Sequence, residues 1–514
     1  MIFLIVILGF FLRVYKLSQF GLWYDEADSI LSAISPSHII DMLTAGRVLI
    51  IHNLFVNVWK FIGIDEFTLR LSSVIFGILS VIVIYKLGVL IFDRRSALLS
   101  AFLLSISPFN IYYSQELRPY SMIVFFTLCA TYYFIKGLND KRIIYWLNYI
   151  IFITLNLYTH WVAIFFFIVY VIYFVIYHKR FRDSFKPFFI SDIVIVILSL
   201  PWLWSLLSVT KLINNQNSVF YQLNLGWIPS VNWLTIFWTL KNFIVGYSGN
   251  IPNFLLPLFV YSFCFFLGIL SFKDKKNILL PLLMFVLPLI FLFVISEFKS
   301  CYIDRYLIAS SAFFYLVTAK GLSSLKHPYR VIILCLITFF ALVNLTKQNS
   351  NFLPAKAFER RGVQCKKQDR QAAEFVLKNL SIEDGVLHVC RSTVLPFEYY
   401  FKYADKLKIA LIANEHLQFL AFLSDEDDSE LKLCKLSLVT GKLDDYYVYR
   451  PVSVSFKDFT RIWVIFSGWD FNLASKSGSL ENKMINLINI NYQVVDSKVF
   501  AGINVYLYVK KDKL

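Results

Sequence analysis

Two adjacent carboxylates, Asp25 and Glu26, stand in Phe20-Gly21-Leu22-Trp23-Tyr24-Asp25-Glu26-Ala27-Asp28, just beyond the apolar run that opens the chain. A carboxylate at the centre of a membrane helix costs roughly 2.5–3.5 kcal/mol on insertion scales and less toward the interface. Acids so placed line a cavity or pathway, or else cap the next helix. Further polar turns interrupt the apolar sequence in the same way. Tyr112-Tyr113-Ser114-Gln115-Glu116-Leu117-Arg118-Pro119-Tyr120 sets Glu116 two residues from Arg118, Leu157-Tyr158-Thr159-His160-Trp161 carries His160, and Tyr302-Ile303-Asp304-Arg305-Tyr306 carries Arg305. Each has a plain structural reading: Glu116 and Arg118 can pair with each other, Arg305 can snorkel to lipid head groups, and a lone histidine is commonly a hydrogen-bonded packing residue. Together, with Tyr120 and Tyr302 beside them, they outline a cavity holding carboxylates, a histidine and two arginines, which scaffolding alone does not require.

The elements that must position these residues follow from composition. Of 514 residues 58% are hydrophobic and 16% charged, with 52 Phe and 30 Tyr, and a soluble domain could not hide that much apolar surface. The sequence is that of a polytopic α-helical membrane protein. Its formal charge of +16 falls in short basic clusters between apolar segments and does not point to nucleic acid. Spans of suitable length are expected at 1–17, 69–92, 96–113, 120–138, 143–159, 161–177, 188–206, 252–272, 278–296, 306–321 and 330–346, about eleven in all. The opening run lacks a small-residue cleavage site and reads as a retained helix. Arg94 and Arg95, Lys141 and Arg142, Lys179 with Arg180 and Arg182, Lys273 with Lys275 and Lys276, and Lys326 with Arg330 fall in alternate loops, which marks those loops as cytoplasmic.

By parity, loops 18–68, 114–119, 207–251 and 297–305 face outward, as does everything after the last span. The organisation expected is a membrane domain over 1–348 and an extracytoplasmic α/β domain over 349–514. Loop 18–68 shows amphipathic periodicity in Ala27–Leu43 and Leu49–Phe61, suggesting interfacial helices anchored by Trp23 and Trp59. In the C-terminal part, β-rich runs (Gly385–Cys390, Lys408–Ile412, Ile462–Ser467, Val505–Val509) alternate with helical ones (Asp369–Leu380, Glu481–Ile490), and no glycine-rich nucleotide loop is present. Cys129, Cys264 and Cys335 fall inside expected helices. Cys301, Cys365, Cys390 and Cys434 fall outside them without zinc-like spacing, and their pairing is open. Ser424-Asp425-Glu426-Asp427-Asp428 lacks the glycine and distal glutamate of a calcium loop and reads as a solvated acidic turn.

The order of motifs carries a family resemblance. A short helix is followed by Gly21-Leu22-Trp23-Tyr24-Asp25-Glu26-Ala27 in a long outer loop, Phe67-Thr68-Leu69-Arg70-Leu71-Ser72-Ser73 entering the second span, then Ser114-Gln115-Glu116-Leu117-Arg118-Pro119-Tyr120, Tyr158-Thr159-His160 and Asp304-Arg305-Tyr306. Over about residues 1–325 this resembles the GT-C superfamily glycosyltransferases, in the branch of the dolichyl-phosphate-mannose protein mannosyltransferases and the aminoarabinose lipid A transferases. Where relatives read His-Pro-Pro-Leu-Tyr-Tyr, this chain has His52-Asn53-Leu54-Phe55-Val56-Asn57, so His52 stays and the prolines do not. The C-terminal part matches in position and α/β character alone.

The resemblance implies an inverting transfer of a sugar from a polyprenyl-phosphate donor to an acceptor hydroxyl at the outer face of the cytoplasmic membrane. Asp25 would be the base and Glu26 would shape the site. Arg118 and Arg305 would hold the donor phosphate, with Glu116, His52, His160, Tyr120 and Tyr302 around the substrate. The residues suit that chemistry: a lipid phosphate leaves as a stable anion, so the reaction needs a base and cations more than a general acid. The acceptor class, whether lipid, glycan or protein, is open. No cofactor is implied, although Asp25, Glu26 and Glu116 could ligate a divalent metal ion. The competing reading is a secondary transporter or flippase, which would show repeats and interrupted mid-membrane helices, neither of which is visible. A same-fold ligase or polymerase moving a whole glycan shares the donor logic.

Overall fold

The computed structural model describes residues 1–33, 49–214, 228–248, 251–271, 275–350, 366–381, 384–389, 391–403, 418–423, 431–439, 446–451, 459–467 and 478–513. The chain forms two compact units, Met1–Leu17 with Ser35–Val363, and Ser18–Ile34 with Gln364–Leu514. The start of the first outer loop, with its acidic pair, thus groups with the C-terminal unit.

The first unit is helical. Every expected span coincides with a helix: Ile2–Val14, Glu66–Ile91, the pair Arg94–Ile106 and Pro108–Ser114, Tyr120–Asp140, Ile143–Thr159, Ala163–Ile176, Phe185–Asn214, Ile251–Leu270, Lys275–Phe298, Ile308–Ser324 and His327–Asn349. Among the described residues, six helices are long and apolar enough to cross a bilayer, and the bent pair would make a seventh. The remaining apolar helices are shorter. They include Ile50–Trp59 and Trp233–Val245, which lie in stretches expected as outer loops. Helices also meet closely in this unit: a Cβ on Gly321 would lie 1.7 Å from the Cys264 carbonyl oxygen, so the helices holding these residues cross where only glycine fits.

The third expected span is broken by 59° between Ile106 and Pro108. Proline has no N–H, so the carbonyl of Leu104 loses its partner four residues on, and the bend strands that of Ser105 as well. Arg13, buried on the first helix, replaces both donors: Nη2 donates to Leu104 O at 3.2 Å and Nη1 to Ser105 O at 2.9 Å, while Nε donates to Ser114 Oγ at 3.2 Å. On the far side of the break, Ser107 Oγ caps the new helix by accepting from the Asn110 amide at 3.2 Å and bonds Tyr315 Oη at 2.8 Å. Asn110 Nδ2 donates to Ser311 Oγ at 3.0 Å. The break is therefore a built feature, and it aims the short helix Pro108–Ser114 and the turn that follows it.

The second unit is built on a seven-stranded mixed sheet in the order β4-β3-β2-β1-β5-β7-β6. Its strands are β1 Asp384–His388, β2 Gln418–Leu423, β3 Leu431–Val439, β4 Tyr446–Pro451, β5 Arg461–Ser467, β6 Tyr492–Phe500 and β7 Ile503–Lys510. β1 runs parallel to β2 and β5, and the remaining pairs are antiparallel. Helices Asp369–Asn379 and Arg391–Lys402 bury Val376, Leu377, Phe397 and Phe401 against Val386, Trp463 and Ile465 of the sheet. The sequence reading finds β1, β5, β7 and helices Asp369–Asn379 and Gly478–Asn491 but not β2, β3, β4, β6 or helix Arg391–Lys402. Its expected strand Lys408–Ile412 and the acidic turn at 424–428 lie outside the described residues, as do Cys365 and Cys390. Cys129, Cys264, Cys301 and Cys335 are free thiols.

Candidate active site

In the helical unit the Glu116–Arg118 turn is tight: the Arg118 amide donates to the Glu116 carbonyl at 2.8 Å, and Ser73 Oγ reaches the Arg118 carbonyl at 3.5 Å. Gln115 ties the turn to the end of the first helix, its Nε2 donating to the carbonyls of Arg13 and Tyr15, both at 3.0 Å. Glu116 is buried and Arg118 partly exposed. Proline at 119 ends the turn and launches helix Tyr120–Asp140, so Tyr120 is fixed within two residues of Arg118.

Two other elements converge on Tyr120. The Arg305 guanidinium lies 5.8 Å from its ring centroid, a cation–π contact, and the His160 ring lies 6.3 Å away. Tyr306 packs on His160 with ring centroids 4.7 Å apart. His160 ends helix Ile143–Thr159, and its Nδ1 accepts from the Val162 amide at 3.3 Å, which assigns the ring proton to Nε2. Burial, with Arg118 and then Arg305 repelling a further charge, holds the imidazole at about 3, so it is neutral. His52 on helix Ile50–Trp59 is likewise lowered to about 3, by burial and by Arg118. Arg118 thus acts electrostatically on both His52 and His160, and Arg305 on His160. Glu116, Asp304 and Arg305 all act electrostatically on the Tyr113 hydroxyl, which places the acids within the same polar core.

Tyr302 opens the turn that carries Arg305. It is buried, and its hydroxyl bonds Thr239 Oγ1 at 2.9 Å, joining the Arg305 turn to helix Trp233–Val245. That helix supplies residues the sequence reading passed over. Lys241 and Asn242 are both buried; Lys241 Nζ donates to Asn242 Oδ1 at 3.3 Å, and Asn242 Nδ2 donates to the Asp304 carboxylate beside Arg305. The available signal was the Lys-Asn pair inside an otherwise apolar thirteen-residue run, where a charge is costly unless it faces a polar interior.

Asp25 and Glu26 lie in the other unit, in the first turn of helix Tyr24–Leu31. Glu26 is at the third helical position, and its carboxylate accepts from the Trp23 amide at 3.4 Å, the acidic half of a capping box. Ser29 Oγ donates to the Asp25 backbone carbonyl at 3.0 Å. The segment is held to helix Arg391–Lys402 by a 2.7 Å hydrogen bond from the Leu22 amide to Tyr400 Oη. Beside it, a Cβ on Gly21 would lie 2.8 Å from the same oxygen. Among the described residues no group of three or more His, Cys, Asp or Glu side chains is assembled to hold a metal ion.

Residues 51–204 match the sequence family of the dolichyl-phosphate-mannose-protein mannosyltransferases. No curated protein matches the chain in sequence. Among solved structures, ArnT from Cupriavidus metallidurans is similar in its apo state, with a TM-score of 0.57 at 12% identity over 98% of this chain and 97% of that one. The same protein bound to undecaprenyl phosphate gives a TM-score of 0.58 at 11% identity over 98% and 97%. The Archaeoglobus fulgidus oligosaccharyltransferase tethered to an acceptor peptide gives 0.50 at 10% identity, over 99% of this chain and 88% of that one. The chain thus has the fold of ArnT, and its residues 51–204 resemble the protein-mannosyltransferase family.

Proposed function

We propose that this chain is an inverting glycosyltransferase that moves a sugar from a polyprenyl-phosphate donor to an acceptor hydroxyl at the outer face of the cytoplasmic membrane. The observation that carries this reading is the convergence of Arg118 and Arg305 on Tyr120 and a neutral His160. Guanidinium forks match phosphate oxygens, and a neutral imidazole next to them adds a donor without a competing charge. In the proposed step the acceptor oxygen bonds to the anomeric carbon as the bond from that carbon to the phosphate oxygen breaks. The acceptor proton passes to the Asp25 carboxylate, and the lipid phosphate departs as an anion stabilised by the two arginines. The choice of Asp25 rests on the sequence motif.

The two solved relatives supply the substrate class by analogy: one is described with undecaprenyl phosphate and the other with an acceptor peptide. The proposal extends to an inner-membrane protein of about eleven spans with its sheet-bearing unit outside. The test is transfer from a panel of radiolabelled polyprenyl-phosphate sugars by the purified protein. Label should leave the lipid for an acceptor, and Arg118→Lys, which keeps the charge but loses the fork, should slow transfer by roughly 1.5–3 kcal/mol, about ten- to a hundredfold. Movement of intact donor across the bilayer without transfer would instead establish the transporter reading.

A further inference from the structure

The sheet-bearing unit contains a buried lysine at the place where open α/β sheets take their ligands. β1 has parallel neighbours on both sides, and the chain leaves it toward β2 through helix Arg391–Lys402, so the order reverses between β1 and β5. Crevices at the carboxyl ends of such strands are the usual ligand sites of open α/β sheets. Ser467 is the last residue of β5, and Ser392 lies in the first turn of the twelve-residue helix that follows β1. Lys367 reaches both: its Nζ donates to Ser392 Oγ at 2.9 Å and to Ser467 Oγ, and the two hydroxyls are 3.4 Å apart.

The unit is shaped to bring the lysine there. Lys367 is 8% exposed, and its stem passes under the β6–β7 turn, where a Cβ on Gly502 would lie 3.0 Å from Lys367 Cγ. Gly502 has φ +77°, so glycine is required twice over. His388 Nδ1 bonds Thr393 Oγ1 at 2.8 Å, pinning the end of β1 to the same helix turn. A buried ammonium is expected to carry a counterion. Among the described residues no carboxylate lies within 4.0 Å of Lys367, whose hydrogen bonds go to neutral hydroxyls. Asp369, two residues on, is itself buried with Oδ1 lacking a hydrogen-bond partner. Burial pushes its carboxyl up to about 7 against the pull of Lys367, so it is a partial counter-charge at neutral pH.

We propose that Lys367, Ser392, Ser467 and the amino end of helix Arg391–Lys402 form a binding site for a phosphoryl oxyanion, separate from the Arg118–Arg305 cluster. The ammonium supplies charge, the hydroxyls fix the oxygens, and the helix terminus adds its amide dipoles. Ser392 is partly exposed and gives the cluster its opening. The same chemistry is offered by a soluble phosphate ester and by an anionic lipid head group.

The test uses the full-length protein in phosphatidylcholine nanodiscs carrying Arg118→Gln and Arg305→Gln, so that the other cluster is silent. Calorimetric titration with methyl phosphate should show one saturable site. Lys367→Met should raise its Kd by about tenfold or more, the worth of one charge-assisted hydrogen bond, and Ser392→Ala by about threefold. Doping the discs with phosphatidic acid distinguishes the sources: competition with methyl phosphate identifies the head group, unchanged affinity identifies the soluble ester, and either upholds the site. No saturable binding in the phosphatidylcholine discs would overturn it. Should Lys367→Met fail to fold, Ser392→Ala decides alone, and an unchanged Kd there refutes the proposal.

Discussion

Asp25 and Glu26 are neighbours in sequence, both in the first turn of helix Tyr24–Leu31. Glu26 accepts from the Trp23 amide, as a capping acid would, and Asp25 sits at the second helical position. If Asp25 is the base, Asp25→Asn keeps its size and helix-start chemistry yet cannot take a proton. Turnover of purified enzyme should then fall roughly 10²–10⁴-fold with donor binding intact. Near-normal transfer would remove Asp25 from the mechanism. His160 gives a residue-scale prediction in pH. Its folded value near 3 lies below the unfolded 6.5, so between these the unfolded chain binds the extra proton. The stability it contributes is present above pH 6.5 and lost as pH falls toward 3. His52 acts with the same sign. The thermal midpoint in detergent should therefore decline from pH 7 to pH 4, less steeply in His160→Gln, and an unaltered slope in that variant would contradict the buried neutral imidazole.

At the scale of elements, the broken span does the positioning. The apolar stretch 96–113 reads as one helix because hydropathy does not register a missing amide hydrogen. Pro108 alone would have suggested a kink, but its repair by an arginine ninety-odd residues earlier is invisible to any local pattern. Arg13 carries this load. Arg13→Met leaves two buried carbonyls without donors, at roughly 1–3 kcal/mol each, and should lower the unfolding midpoint markedly. Arg13→Lys, with one donor centre in place of a fork, should fall between. Equal midpoints for all three proteins would show that the break is held by other contacts.

At the scale of the whole molecule, the proposed topology of about eleven spans, with its basic loops inside, puts the C-terminal unit outside the cytoplasm. A reporter active only in the cytoplasm, fused after Leu514, should be silent. Strong activity would reverse the orientation and with it the outward site. The division of the chain into units was less legible. A linear reading assigns the whole of 18–68 to the membrane domain, whereas Ser18–Ile34 groups with the C-terminal unit through Leu22, Gly21 and Tyr400.

What the sequence determines by itself are the properties that accumulate along the chain: the membrane class, the helical segments, and the polar turns at Glu116–Arg118, His160 and Arg305, because a charge or imidazole in an apolar run is conspicuous at any register. The strands β1, β5 and β7 were legible because apolar residues cluster in them, most densely at Ile462–Phe466 and Val505–Val509. Tertiary structure alone decided which polar groups meet. Asn242 joins Asp304, Tyr302 bonds Thr239, and Lys367 finds its serines on separate elements. Each pairing joins residues distant in the chain, whose encounter is set by helix crossing and strand order rather than by any periodicity a local stretch could display.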